Sequence, residues 1–571
     1  MRGDRLAVVL CGERASGIGL PRSVSPQSCR SLVASVIEVE VHEQLRAFLR
    51  SQGEPYWPHH LTMARLVARA LRLGRSSLIQ TGIPTVGSYG RHRLSYLTPV
   101  LIWPGPAIVV APVAVQQRLL LVEIPQLQQW IQNHKAIRTG DRWPGEDFDG
   151  VLIVSPQTWL DNALAGYPRI PKGIPTIIDG ADDLERWARD YLRVSLNAED
   201  WHQLMLARPD RAAAIRDARV RMTRAIFQHP PNPYQCCLLE GEERHLLEHL
   251  YTILGKSGAT REAIASPRHR RSDPLPNGTE IAGGNDSLPH SWERFWQELN
   301  REDRLLWASV DREAGQFQLE CTPIELGSLL GPLWSQQPLV LVGGALDLDR
   351  EATVYREQLG LGDMTCVKFS RDRHTDSIRL YLPEGLPMPN TPEYQAAAIA
   401  EIRTILCVSA AGAGFTAILV EDIPFKSKLG SILAAEFGSR VQVEKIPSEP
   451  HGILVTGWEF WLEHQGRLPP PMLLAIATLP LPSLENPRVA GRVAYYKSRR
   501  LDWFRQYLLP SALNTLQRAI APVRECQGVV ALLDSRTLHR TYGRQVLATL
   551  GPLARIDYLD ATWFNSERSI L

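Results

Sequence analysis

Nine short apolar runs, rich in Val, Ile and Leu and separated by helical periodicity, constrain this chain more than any other feature. Four fall early: SLIQTG (77–82), AIVVAPV (107–113), GVLIVS (150–155) and PTIIDGAD (175–182). PLVLVGGAL (338–346) follows, and then FTAILVE (415–421), GILVTG (452–457), MLLAIATL (472–479) and GVVALLD (528–534). A strand that is apolar along its whole length is buried on both faces. A parallel sheet with helices packed on either side provides that environment. Two sets of runs predict an α/β protein with two parallel-sheet lobes.

Between the sets, Leu184 to about Leu254 is almost wholly helical and charged, and 266–290 mixes Pro, Gly, Asn and Ser without periodicity. The expected division is an irregular lead-in (1–38), a first lobe (39–183) and a helical insertion (184–290) with a flexible loop over 256–290. The chain then returns to the first lobe (291–346) and forms a second lobe (347–571).

Charge excludes little: 63 basic residues face 61 acidic ones. The kind of base matters more, because only eight are lysine and the first of these is Lys135. Eight cysteines without a CxxC pair exclude a disulfide scaffold and a zinc ribbon. No apolar run is long enough to span a membrane, and the N-terminal segment is too charged for a secretory signal, so a cytoplasmic protein without membrane contact is expected.

Several segments resemble, in order, the DinG/XPD branch of superfamily 2 helicases. RLSYLTP (93–99) stands where the phosphate-loop helix has "TlaYLlP", and PTIIDGADDLE (175–185) where Walker B has "iIDEAHnLe". VGGAL (342–346) stands at "TSATL", LYLPEGLPMPNTPEY (380–394) at a proline-spaced linker, and GWEFWLEHQG (457–466) at "SFWEGVD". The segment from Tyr507 to Tyr542 follows the last motif, with Pro510, Ala512, Gln517, Arg524, Gly528, Asp534, Arg536, Tyr542 and Gly543 matching. The resemblance implies two RecA-like lobes with a helical insertion in the first, and ATP-dependent DNA unwinding with Mg²⁺.

Against that pattern the catalytic groups are depleted. A phosphate loop needs glycines for its backbone cradle, a Lys for the β/γ-phosphates and a Ser or Thr for Mg²⁺. The corresponding stretch offers Gly87, Ser88, Gly90, His92 and Arg93, and no alignment supplies a lysine. Asp179 keeps the metal-binding carboxylate of Walker B, but Gly180 replaces the glutamate that orients water and Asp182 the histidine. Gln517 and Arg524 survive from the last motif, while Ile520 and Ala521 stand at its Gly-Arg pair. The glutamine that reads adenine falls at His60. ATP and Mg²⁺ binding is therefore expected to be weak. No cysteine lies between Cys29 and Cys236, which excludes the iron–sulfur cluster of many relatives.

Trp458, Trp461, Lys497, Arg499 and Arg500 are candidates for stacking on bases and pairing with phosphates. Two further patterns are read as structural: Gly255-Lys256-Ser257 as a helix end, and His245, Glu248 and His249 as a solvated helix face. The favoured function is a helicase-fold protein that binds single-stranded or duplex DNA and hydrolyses ATP weakly or not at all. The alternatives are an active helicase using Arg93, Asp179, Gln517 and Arg524, and a scaffold for a protein partner.

Overall fold

A computed structural model describes residues 37–52, 57–83, 90, 92–132, 134–164, 168–255, 288–370, 377–409, 414–447, 449 and 451–564. Each of the nine apolar runs contains a strand. In the first lobe these are β1 (Ser77–Gln80), β2 (Ala107–Val110), the edge strand β3 (Ile137–Thr139), β4 (Val151–Val154) and β5 (Thr176–Asp179). The insertion holds β6 (Val194–Leu196), β7 (Cys236–Leu238), β8 (Arg304–Asp311) and β9 (Gln316–Pro323). The chain then returns as β10 (Leu339–Gly343) and β11 (Thr365–Lys368). The second lobe contains β12 (Ile378–Tyr381), β13 (Thr416–Leu419), β14 (Val441–Val443), β15 (Ile453–Thr456), β16 (Leu473–Ile476), β17 (Val529–Leu532) and β18 (Leu553–Ile556).

The first sheet runs β11-β1-β10-β5-β2-β4-β3 and the second β14-β15-β13-β16-β17-β12-β18. Every pairing in both is parallel. The alternation of strand side chains puts Ile79, Val109, Ile153 and Ile177 into one core of the first lobe, and Leu78, Ile108, Leu152 and Ile178 into another on the opposite face. That two-sided burial explains the unbroken apolar runs.

Three expected boundaries move. The helix Leu184–Leu192 packs in the core of the first lobe rather than opening the insertion. The insertion is not purely helical and does not end at 290: an antiparallel sheet, β6-β9-β8-β7, carries it to Pro323. The first lobe extends past 346, because β11 adds parallel to β1 before the chain crosses to the second sheet. These strands escaped the sequence because they are short edges or mixed half-buried segments, where neither a continuous run nor strict alternation is visible. Of the expected loop (256–290) and lead-in (1–38), residues 256–287 and 1–36 lie outside the described residues, and helices begin at Ile37 and His290. Among the described residues no helix is long and apolar enough to cross a membrane.

The second lobe touches both the first lobe and the insertion. The helix Pro487–Ser498 lies so close to the insertion that a Cβ at Gly491 would stand 2.5 Å from Leu305 Cδ1. The glycine lets the helix pack directly on the side-chain ends of Leu305 and Leu238.

Candidate nucleotide and nucleic-acid sites

The Walker B-like strand β5 delivers Asp179 to the carboxyl edge of the first sheet. The helix Arg93–Ile102 begins at the same edge, with Arg93 against Asp179. In open parallel sheets this edge is where ligands bind. Here Asp179 is 1% exposed and already has three donors from its own lobe. His92 Nε2 donates to Oδ1 at 3.2 Å, Arg93 Nε to Oδ2 at 3.0 Å and the Tyr96 hydroxyl to Oδ2 at 2.9 Å. Burial alone would raise the pKa of this carboxyl. Its hydrogen bond from His92 and the charge of Arg93 outweigh that cost and hold it down at about 2.

Arg93 is fully buried, with Glu123 a second carboxylate at 3.7 Å from Nη1. Its guanidinium lies against Gly90, where a Cβ would stand 2.0 Å from Nη1. Gly90, His92 and Arg93 therefore come together with Asp179. Gly87 and Ser88 lie outside the described residues. The chain's first lysine is elsewhere: Lys135 Nζ donates to the carbonyls of Val100, Trp103 and Gly105 at the end of the helix Arg93–Ile102. His60 is buried and its Nδ1 is 2.8 Å from Ser95 Oγ, which makes it part of the lobe interior.

Gly180 adopts φ +95°, and a Cβ there would meet the Trp187 ring at 3.1 Å. Asp182 accepts from the backbone N–H groups of Gly344 and Ala345 at 2.7 and 2.9 Å. It fastens the loop after β10 to the Walker B turn.

A cavity of about 670 Å³ lies between the lobes. Gln517 lines it, whereas His92, Arg93 and Asp179 do not. Its walls are joined across the lobes: Arg518 donates to Asp183 at 2.9 Å, Arg492 to Glu185 at 3.1 Å and Asn514 Nδ2 to the Ala345 carbonyl at 3.0 Å. Burial works against the Glu185 charge, but Arg189 and Arg492 bring its pKa down to about 2. Sequence reasoning missed this bridge. Asp183 and Glu185 were visible beside Walker B and Arg518 beside Gln517, but only folding pairs them.

Arg524 does not reach the cavity. It is buried and donates to the carbonyls of Leu550, Gly551 and Pro552, closing the end of the helix Gly543–Leu550. Its assignment to nucleotide chemistry is corrected to a helix-end role, because a guanidinium held by three carbonyls cannot extend into the cleft. Trp458 and Trp461 are also corrected. They are 4% and 0% exposed in the core of the second lobe, with Trp461 Nε1 donating to the Ala519 carbonyl at 3.0 Å, so neither ring can stack on a base. Lys497, Arg499 and Arg500 are exposed at the end of the helix Pro487–Ser498, rather than between strand and helix. Lys497 Nζ lies 5.2 Å from the centre of the Trp503 ring and the Arg499 guanidinium 5.3 Å from that of Tyr495.

His245 and Glu248 share an exposed helix face, where Glu248 accepts from Arg244. Among the described residues no three His, Cys, Asp or Glu side chains converge on a point that could hold a metal ion.

Residues 472–552 match the family model described as a helicase C-terminal domain. Over 335 residues the chain is 24% identical to ATP-dependent DNA helicase YoaA of Escherichia coli (strain K12), a match covering 53% of this chain and 52% of that protein. The chain thus spans about half the length of this curated relative. Among solved structures, S. tokodaii Xpd4 superposes with a TM-score of 0.52 at 10% identity, covering 87% of this chain and 99% of that one. A structure titled XPD helicase gives 0.53 at 11% identity, with 88% and 99% covered. The segment 472–552 thus resembles a helicase C-terminal domain, and the fold resembles that of the XPD structures. Within this family resemblance, several matching residues of the second lobe have structural tasks. Asp534 is buried and takes the Arg536 guanidinium and the Leu479 N–H, and a Cβ at Gly543 would stand 1.9 Å from the Thr537 carbonyl oxygen.

Proposed function

We propose that this protein binds nucleic acid on a helicase fold and hydrolyses ATP weakly or not at all. One observation carries the reading. The Asp179 carboxylate, which a motor needs for Mg²⁺, is already engaged by His92, Arg93 and Tyr96, and Arg93 lies against the glycine that would cradle phosphate. The residues present do not fit Mg²⁺-ATP: the buried guanidinium neutralises the metal's carboxylate, and Gly180 has no side chain to orient a water. The exposed Lys497, Arg499 and Arg500 support the nucleic-acid half of the reading.

The test is ATP turnover by the full chain with single-stranded DNA and Mg²⁺. The expected rate is background. Turnover of about 1 s⁻¹ or more, abolished by Asp179→Ala, overturns the reading in favour of an active helicase, the activity in the name of the YoaA relative. Failure of any oligonucleotide to bind at low salt favours a protein-binding scaffold.

A further inference from the structure

The insertion carries a basic surface that none of the helicase motifs includes. Its helix Ala212–Gln228 buries Ile215, Met222 and Ile226 against the insertion core. The rest of the helix bears Arg216, Arg219, Arg221 and Arg224 with a single acid, Asp217. Arg216, Arg221 and Arg224 are exposed and Arg219 is half-buried.

Among the described residues, none of these four guanidinium groups pairs with a carboxylate, and the nearby Asp210 is held by Arg208 and Arg211. Other helices of the chain pair their arginines at three- or four-residue spacing, as in Arg189 with Glu185, Arg186 with Asp183 and Arg244 with Glu248. In Ala212–Gln228 the spacing is used the opposite way. Arg216 and Arg219 are neighbours at three residues, as are Arg221 and Arg224, and like charges so placed destabilise a helix. The helix dipole does not account for them, because it favours bases only in the last turn and the last turn has none.

We propose that this arginine face is a docking surface for the phosphodiester backbone of a nucleic acid. An anionic partner removes the repulsion that the free helix carries. From Arg216 to Arg224 the helix rises about 12 Å, and the four side chains fan around its exposed side, so they present a broad basic face to phosphates rather than a single line. Guanidinium forks suit phosphate oxygens, and recognition through backbone charge is independent of sequence. The inference rests on the nucleic-acid reading above and adds the insertion as a second contact, separate from Lys497, Arg499 and Arg500.

The test is fluorescence anisotropy of the full chain with labelled 30-nucleotide single-stranded and duplex DNA across a salt series. The comparison protein is the variant Arg216→Gln, Arg219→Gln, Arg221→Gln and Arg224→Gln. Gln has a helix propensity close to that of Arg, and far-UV circular dichroism checks the fold. Loss of the four contacts is expected to flatten the plot of log affinity against log salt by about two to three units and to weaken binding at least tenfold at low salt. The four-lysine counterpart, which keeps the charge, is expected to retain most of the wild-type slope. A Gln variant with the wild-type slope and affinity overturns this inference and leaves the broader reading standing. A wild-type chain that ignores DNA but binds phosphatidylserine vesicles overturns both.

Discussion

Arg93→Met tests the centre of the candidate nucleotide site. The substitution keeps most of the side-chain volume and removes the charge that faces Asp179 at 3.0 Å and Glu123 at 3.7 Å. Glu123 keeps Arg118 at 2.9 Å, but Asp179, 1% exposed, is left without a guanidinium partner. Breaking a buried pair by removing one partner costs about 3–5 kcal/mol, because the remaining charge is uncompensated. The relevant assay is the thermal midpoint of the first lobe at pH 7, since a chain with two lobes and an insertion does not melt in one step. At roughly 2–4 °C per kcal/mol for a domain of this size, the midpoint falls by roughly 6–20 °C. Adding Asp179→Asn removes the stranded charge and recovers much of that loss. A fall of under about 2 °C, or no recovery in the double variant, refutes the claim that Arg93 is the fixed counter-ion of Asp179.

Four other outcomes follow from the same geometry. The Asp179 pKa is about 2 when folded against 3.8 for a free carboxyl, so its contribution is complete above about pH 4 and is lost as pH falls toward 2; an acid titration followed by near-UV circular dichroism reads this decline, and stability unchanged to pH 2 contradicts it. Gly180→Glu, which restores the family's carboxylate by letter, destabilises the chain by about 1–3 kcal/mol through the left-handed backbone and gives no ATPase activity; a stable, ATP-hydrolysing variant refutes the structural account of that turn. Trp461→Ala costs about 3–5 kcal/mol of second-lobe stability, measured by denaturant unfolding, and any folded fraction binds DNA with wild-type affinity. Replacing Arg499 and Arg500 by Ala flattens the salt dependence of DNA binding by about one to two units, and an unchanged slope removes the end of the helix Pro487–Ser498 from the contact surface.

The amino-acid sequence alone showed the nine strands buried on both faces and pointed to the kind of fold. A two-sided buried strand must be apolar throughout, so Leu78–Ile79, Ile108–Val110, Leu152–Val154 and Ile177–Ile178 are legible as pieces of a parallel sheet without any partner being known. The absence of lysine before Lys135 is likewise a sequence fact, as is the missing carboxylate at Gly180. The motif order pointed to the helicase fold because matching positions such as Gly543 and Asp534 are needed for close backbone packing and for holding a loop, and those demands are local. What a surviving charged or aromatic residue does was decided by tertiary structure. Arg93, Arg518 and Arg524 are the same residue type, yet one neutralises a buried carboxylate, one bridges two lobes and one closes a helix end. Trp461 matched a motif but is held in the core by the Ala519 carbonyl. The desolvation and pairing of a charge depend on groups brought together from distant parts of the chain, and no pattern of neighbours in sequence contains that information.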